Sequence, residues 1–182
     1  MKTKIINFFT NSAKVFIIPD KLFNEKIENP DYGGILSLVV YMAILGLVIG
    51  ILTKSAFITV FIVIASIIGS LISKLIHCFL TYIFAMLFKV DGEFGQLYNL
   101  MCYEDTLNIL IIIGTGITVL TGKWIIIPLV FLVGIWKMIV TISAVNSVFK
   151  FGYGKSFLSA YGLLILVVII LMGLFLWTNM KF

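Results

Sequence analysis

Residues 34–52 read GILSLVVYMAILGLVIGIL, a run without a single charged side chain. A transmembrane helix needs about 20 predominantly apolar residues to cross roughly 30 Å of hydrocarbon, and this run meets that requirement. The run therefore predicts a membrane span, and the rest of the chain has to be interpreted around it.

The composition of the whole chain leads to the same class of protein. Of its 182 residues, 62% are hydrophobic and 12% are charged, whereas an ordinary soluble domain is about 25% charged. A soluble domain of about 150 residues still exposes roughly a third of its unfolded surface, so this chain cannot hide its apolar residues in one aqueous core. The composition excludes a soluble globular domain and makes the lipid bilayer the main partner.

A second apolar run, from residue 56 to residue 88, is interrupted only by Lys74 and His77. Its length of about 33 residues corresponds to roughly 50 Å of helix, which is too long for one simple crossing. Small or polar residues recur along it at helical spacing, which favours a single long helix. The alternative is a break near Lys74, followed by an in-plane helix or a sixth crossing.

Three further apolar runs follow, each near the length of one crossing. We therefore predict an all-α integral membrane bundle of five helices with a long second helix. The predicted spans are at about 34–52, 56–88, 101–120, 124–148 and 156–177.

Residues 1–32 form an arm that precedes the membrane domain at residues 33–182. Apolar residues of the arm, such as Phe9 and Phe16, recur at roughly helical spacing between polar ones, as in a helix that lies at the membrane surface. A loosely ordered polar arm is the alternative. Pro19 and Pro30 bracket a charged stretch that no membrane core would accept, and we predict a linker there.

The 13 basic residues are all lysines, and they are spread thinly between long uncharged runs. We interpret them as residues that indicate which loops lie on the cytoplasmic side of the membrane, and not as a surface that binds nucleic acid. A cytoplasmic N-terminus places eight lysines inside and leaves three outside, which supports that orientation and an outer C-terminus. The inner lysines are Lys2, Lys4, Lys14, Lys21, Lys26, Lys89, Lys150 and Lys155, and the outer ones are Lys54, Lys123 and Lys181.

A few polar residues fall within the predicted spans or at their ends. Lys137 lies near the middle of the fourth span, where a cation is tolerated when it faces a polar interior or finds a partner. Glu104 and Asp105 are expected at the start of the third span, because a helix N-terminus favours negative charge. In a sharper hypothesis these three residues, with His77 and Asn108, converge on a crevice that binds an ion or relays protons.

Small residues mark where helices can approach each other closely. Gly46 and Gly50 form a small-xxx-small pattern, which fits packing within the chain, with a homodimer seam as the alternative. A second set of small residues in the long helix is expected to be buried in the bundle. This set consists of Ser66, Gly69, Ser70 and Ser73.

The sequence provides no arrangement typical of an enzyme, a metal site or a cofactor site. It contains one histidine, whereas a zinc site normally needs several nitrogen or sulfur ligands. Cys78 and Cys102 lack metal-type spacing and are expected to be free thiols. Since no catalytic set of side chains is present, we predict neither catalytic residues nor a cofactor.

Short motifs are spread along nearly the whole chain. They are FIIPDKLF at 16–23, His77, FKVDGEFGQL at 88–97, Cys102-Tyr103 and GYGKSF at 152–157. In this order they resemble the Yip-domain family, five-span membrane proteins named for their interaction with Ypt/Rab GTPases. Residues 31–34, Asp-Tyr-Gly-Gly, are also similar to the D-L-Y-G-P box that eukaryotic members carry before the membrane, although the proline is missing.

The resemblance implies a cytosolic N-terminus and a role in organising transport membranes. The arm of about 30 residues is far shorter than that of the eukaryotic relatives, which argues against a GTPase partner and for a prokaryotic cell membrane. We therefore expect a non-enzymatic, membrane-organising or partner-binding protein, which associates with itself or with another membrane protein. The alternative is a small transporter or channel component that uses the intramembrane polar residues.

Overall fold

The computed structural model describes residues 2–122 and 124–179, and every regular element in these two ranges is helical. Five helical segments of this described part are long and apolar enough to cross a membrane. The predicted all-α, five-span class is thus confirmed. The helices are α1 (Lys2–Ile17), α2 (Pro19–Glu28), α3 (Gly33–Ile51), α4 (Ala56–Met86), α5 (Phe94–Cys102), a 3₁₀ segment (Tyr103–Leu107), α6 (Asn108–Thr121), α7 (Ile126–Phe149) and α8 (Tyr153–Asn179).

Helix α4 runs without interruption through Lys74. It has 31 residues, or roughly 46 Å of helix, and its first turn is capped by the Ser55 hydroxyl, which accepts from the Ile58 amide at 3.4 Å. The single long helix is therefore the correct interpretation, and the break near Lys74 with an in-plane helix or a sixth crossing is wrong. The helix tolerates this lysine because Lys74 is paired inside the protein.

The third span starts earlier than the sequence predicted. The expected start was near Met101, but the helical segment begins at Phe94 and extends to Thr121 through α5, the 3₁₀ segment and α6. Glu104 and Asp105 therefore lie inside this span and do not cap its beginning. Hydropathy missed the first turns because their polar side chains, such as Asn99, bond within the protein instead of facing lipid.

The arm is helical and packed, so the linker predicted between Pro19 and Pro30 is wrong. Pro19 opens α2, where the fixed φ of proline suits the first helical position. Leu22 and Phe23 of α2 and Val15 of α1 are completely buried in the hydrophobic core. Of the charged residues that suggested a linker, Lys21 and Glu28 are exposed, whereas the Asp20 carboxylate accepts from the Ser143 hydroxyl of α7.

The five spans close into a ring. Helix α3 packs on α4, α4 on α8, α8 on α7, α7 on α6, and α6 again on α3. The arm helices cover one end of this ring, called the arm end below, because α1 packs on the 3₁₀ segment and α2 on α7. Of the lysines counted for orientation, Lys123 and Lys181 lie outside the described residues.

Helices α3 and α4 approach closely at two glycines. A Cβ atom on Gly46 would lie 2.9 Å from the Cα of Val63, and one on Gly50 would lie 2.8 Å from the Cα of Thr59. This face of α3 is thus filled by α4 of the same chain, which leaves it unavailable as a homodimer seam.

The second set of small residues, on α4, is only partly covered. Ser66 and Ser70 are half-buried, and the Ser66 hydroxyl lies close to Gly46. Gly69 and Ser73 are exposed, so the expected burial of this whole face is wrong. The two residues border an open crevice instead of a packed helix.

Replacing Gly50 by alanine should destabilise the protein. The new methyl group would meet the Cα atom and the side-chain carbons of Thr59 on α4, and overpacking of this kind costs about 1–3 kcal/mol. The measurement is the melting temperature of the purified protein in detergent. Gly134→Ala is the matched control, since a Cβ at Gly134 has no neighbour within 4 Å; if both variants melt at the wild-type temperature, the proposed close approach of α3 and α4 is absent.

The stability of the arm should depend on pH through Glu25. Its carboxylate accepts a hydrogen bond from the Lys14 ammonium at 2.6 Å, and this bond holds the pKa of Glu25 below its usual range. A carboxylate with a lowered folded-state pKa stabilises the fold above its unfolded pKa, and this contribution is lost as the pH falls through the folded pKa.

We therefore expect acidification to loosen the contact between α1 and α2 before the spans separate. Hydrogen exchange of the arm amides between neutral and acidic pH measures this loosening. The Lys14→Gln variant should exchange faster at neutral pH and change less on acidification. An equal pH response in this variant and in the wild type would contradict the assigned role of the pair.

Candidate functional site

Six polar side chains from three parts of the ring meet in its interior. They comprise two lysines, two carboxylates, one hydroxyl and one amide, which is a set that the surrounding hydrocarbon would not solvate. All belong to the segments that are long and apolar enough to cross a membrane. We call this set the ion cluster, and it consists of Lys74 of α4, Glu104 and Asp105 of the 3₁₀ segment, Asn108 of α6, and Lys137 and Thr141 of α7.

Glu104 joins α4 to α7. The ammonium group of Lys74 donates to Glu104 Oε1, and the hydroxyl of Thr141 donates to Glu104 Oε2. Lys74 and Glu104 side chains are 8% and 11% exposed, respectively. Both oxygens of this buried carboxylate are therefore satisfied by partners from two different helices of the ring.

Asp105 lies between the two lysines. Its Oδ1 atom accepts from Lys137 Nζ at 3.0 Å and from Asn108 Nδ2 at 3.1 Å. Its Oδ2 atom is 3.6 Å from Lys74 Nζ and accepts no hydrogen bond from the described part of the chain. Asp105 thus shares its charge between two ammonium groups and keeps one acceptor atom without a hydrogen bond.

The formal charges of the ion cluster cancel. Two ammonium groups face two carboxylates in a site where an unpaired charge would cost several kcal/mol. The pairing explains how four ionisable residues can lie within the apolar bundle. It also ties α4, α7 and the 3₁₀ segment together at one depth, so that the cluster acts as a cross-link of the ring.

A polar crevice leads to the ion cluster. Its volume is about 280 Å³, enough for a few water molecules or a small ion at about 30 Å³ per water. Ser73 and Gly69 at its edge are exposed. The lining residues are Gly69, Ser70, Ser73, Lys74, His77, Glu104, Asp105 and Lys137.

His77 borders the crevice but bonds elsewhere. Its Nε2 atom is 3.1 Å from the carbonyl oxygen of Ala160, and its ring centre is 5.6 Å from that of Tyr161, both on α8. The structure therefore brings Glu104, Asp105, Asn108 and Lys137 together as one bonded group and leaves His77 beside them. Within the described residues, no three His, Cys, Asp or Glu side chains are placed to hold a metal ion.

The sequence did not single out Lys74 or Thr141 as members of this group. The signal for Lys74 was its spacing, four residues after Ser70 and three before His77, which places all three on the polar face of one helix. Thr141 follows Lys137 by four residues, a spacing that places both on one face of α7. Cys78 and Cys102 are buried free thiols near this region.

A second polar site joins the arm to the bundle at the start of α3. The side-chain oxygen of Asn99 accepts from the amides of Gly34 and Ile35 at 3.1 and 3.2 Å. Its Nδ2 group donates to the carbonyl oxygen of Asp31 at 2.7 Å. Asn99 of α5 thereby satisfies amides at the N-terminus of α3 that would otherwise lack partners.

Gly34 is required at this junction because there is no room for a side chain. A Cβ atom on Gly34 would overlap the carbonyl oxygen of Asn99. Gly33 has a similar constraint from the Tyr103 hydroxyl, which itself bonds to Asp31 at 3.5 Å. The Asp-Tyr-Gly-Gly motif, called the glycine junction below, is thus the point where the arm, the first span and the third span meet.

The fold and these sites define a polytopic integral membrane protein with a packed helical arm. The Yip1 domain family model matches residues 13–175, a range that includes α2, the glycine junction and the whole ion cluster. The chain therefore belongs to the Yip1 domain family, which is not a known enzyme family. Neither a curated protein nor a solved structure matches the chain.

Replacing Lys74 by methionine should strongly destabilise the bundle. The change leaves Glu104 and Asp105 with a single lysine, and removing one partner of a buried ion pair costs about 3–5 kcal/mol. The double variant Lys74→Met/Glu104→Gln restores neutrality and should recover most of the loss.

Unfolding in mixed detergent measures these differences, with Lys21→Met as the control because Lys21 lies exposed on α2. If the loss of unfolding free energy in the double variant equals the sum of the losses in the two single variants, Lys74 and Glu104 act independently. That result would remove the argument for a neutral, cooperative cluster.

Proposed function

We propose that this protein works without chemistry, as a membrane-organising protein whose arm is embedded in the surface of one leaflet. The observation that carries the proposal is the outer face of α1. Phe9 is 62% exposed and Ile17 is 76% exposed, although the opposite face of the same helix is docked on the bundle. An apolar outer face next to a membrane domain is best explained by contact with lipid.

The docking of the arm gives this face a fixed position. Val15 is completely buried, and the Tyr41 hydroxyl donates to Ser12 at 3.1 Å, which ties α1 to α3. A docked amphipathic helix near the start of the first span lies at the depth where headgroups meet acyl chains. Inserted there, the helix adds area to one leaflet, and such insertion is sensitive to curvature.

We also propose that the arm end faces the cytoplasm. The connectivity places the start of α3, the end of α4 and the turn between α7 and α8 at this end, together with α1 and α2. Lys89, Lys150 and Lys155 lie at these helix ends, next to the lysines of the arm. Such a cluster of lysines is favoured beside the anionic cytoplasmic leaflet.

The competing function is a small transporter or channel component. The polar crevice that reaches Asp105 and Lys137 is the observation in its favour, because intramembrane ionisable residues commonly mark ion pathways. The neutral pairing of the ion cluster argues for a structural role instead, since every charge already has a partner. Partners of the membrane-organising function would be further copies of the chain or other membrane proteins.

Reconstitution into lipid vesicles separates the two functions. We expect ion and solute flux equal to that of protein-free vesicles, together with a shift toward smaller or tubular vesicles. Substituting Phe9 and Ile17 by serine should abolish most of the shape change, because a fully buried side chain of this kind contributes roughly 1.5–3 kcal/mol. Trp124→Ser is the matched control, since Trp124 is an exposed aromatic residue beyond the arm, at the start of α7.

Clear flux that disappears in the Lys137→Leu variant would overturn the proposal in favour of transport. Unchanged vesicle shape at high protein density would remove the membrane-organising role. Retained shape change in the Phe9→Ser/Ile17→Ser variant would show that the arm is not the active surface.

A further inference from the structure

A cavity of about 620 Å³ opens between α2 and the turn that joins α7 to α8. One wall is a polar ridge of α2, formed by Asp20, Asn24 and Glu28. These residues are four apart and therefore lie on one face of the helix. The ridge carries two carboxylates, so this wall of the cavity is negative.

The opposite wall is the end of α7 and the start of α8. Lys150 ends α7 in the left-handed region, with φ of 52°, and Gly152 follows with φ of 92°. The Asn146 side-chain oxygen accepts from the Gly152 amide at 2.9 Å and holds this turn in place. The ammonium of Lys150 and the positive N-terminal end of the α8 dipole make this wall positive.

Several polar groups of the cavity are either fixed in position or left without a partner. The Asp20 carboxylate is held by two hydroxyl donors, Ser143 on Oδ1 and Tyr153 on Oδ2, the latter at 2.9 Å. Ser147 is only 4% exposed, lines the cavity, and its hydroxyl bonds to no other described residue. A hydroxyl that lines a cavity and has no partner in the protein is free to bond to whatever fills the cavity.

The charge pattern restricts the ligand. A simple anion would meet the carboxylates of Asp20 and Glu28, and a simple cation would meet Lys150 and the dipole of α8. The described residues also place no three His, Cys, Asp or Glu side chains for a metal ion. A molecule that carries a positive and a negative group side by side satisfies both walls.

We propose that this cavity binds a primary ammonium linked to a phosphate, the chemistry of a phosphoethanolamine headgroup. The ammonium lies against Asp20 and Glu28, and the phosphate lies against Lys150, Ser147 and the N-terminus of α8. The turn between α7 and α8 joins two spans and therefore lies at the membrane surface, where such headgroups are found. The proposal does not depend on the role proposed for the arm.

The test measures binding to the purified full-length chain in detergent. The probes are diacyl phosphatidylethanolamine, phosphatidylcholine, phosphatidylglycerol and the water-soluble glycerophosphoethanolamine. Phosphatidylethanolamine should bind about tenfold more tightly than phosphatidylcholine, whose methylated ammonium cannot donate the charge-assisted hydrogen bonds. Equal binding of the three lipids would overturn the proposal.

Two variants locate the preference, each with a matched control. Glu28→Gln and Lys150→Asn should lose it, whereas Glu93→Gln, at an exposed glutamate that precedes α5, and Lys89→Asn should keep it. Lys89 follows α4 with φ of 57°, in the same left-handed region as Lys150, so its substitution places a similar strain on the backbone. Asparagine tolerates this conformation, which keeps both lysine variants folded.

The water-soluble probe identifies the source of the ligand. Weak binding of glycerophosphoethanolamine beside tight binding of the diacyl lipid assigns the cavity to a membrane headgroup. Equally tight binding assigns it to a soluble compound of the same chemistry. A preference that survives in Glu28→Gln and in Lys150→Asn would place the lipid elsewhere and overturn the assignment.

Discussion

The fold depends on the rule that a charge in hydrocarbon needs a partner. Lys74, Glu104, Asp105 and Lys137 come from three separate parts of the chain, and each is tolerable only when the other three are in place. Since lipid supplies little hydrophobic drive between helices, such polar contacts are well suited to select one arrangement of the spans. Neutrality of the cluster therefore favours the closed ring over looser packings of the same helices.

Much of the fold could be predicted from the sequence, because the length of an apolar run directly reports a membrane crossing. The prediction failed where polar residues are buried by other parts of the protein. Glu104 and Asp105 resembled a helix start, and the segment from Asp20 resembled a linker, because hydropathy assigns any charged residue to water. Only the tertiary structure shows that Lys74 and Thr141 complete the site.

The glycine junction and the ion cluster stabilise different parts of the molecule. Asn99 caps α3 from the third span and also holds the carbonyl of Asp31, so the arm is fastened to the bundle by backbone groups. The ion cluster fastens the spans deeper inside. The arm thus has a defined position relative to the helices that cross the membrane.

The order in which the cluster residues are synthesised has a consequence for biogenesis. Lys74 is made 30 residues before its partner Glu104 and 63 residues before Lys137 completes the charge balance. A nascent α4 therefore carries an ammonium group without a partner, which disfavours the insertion of α4 across the bilayer on its own. The long second helix is expected to enter the bilayer together with the acidic segment that follows it, as one hairpin released late from the insertion machinery.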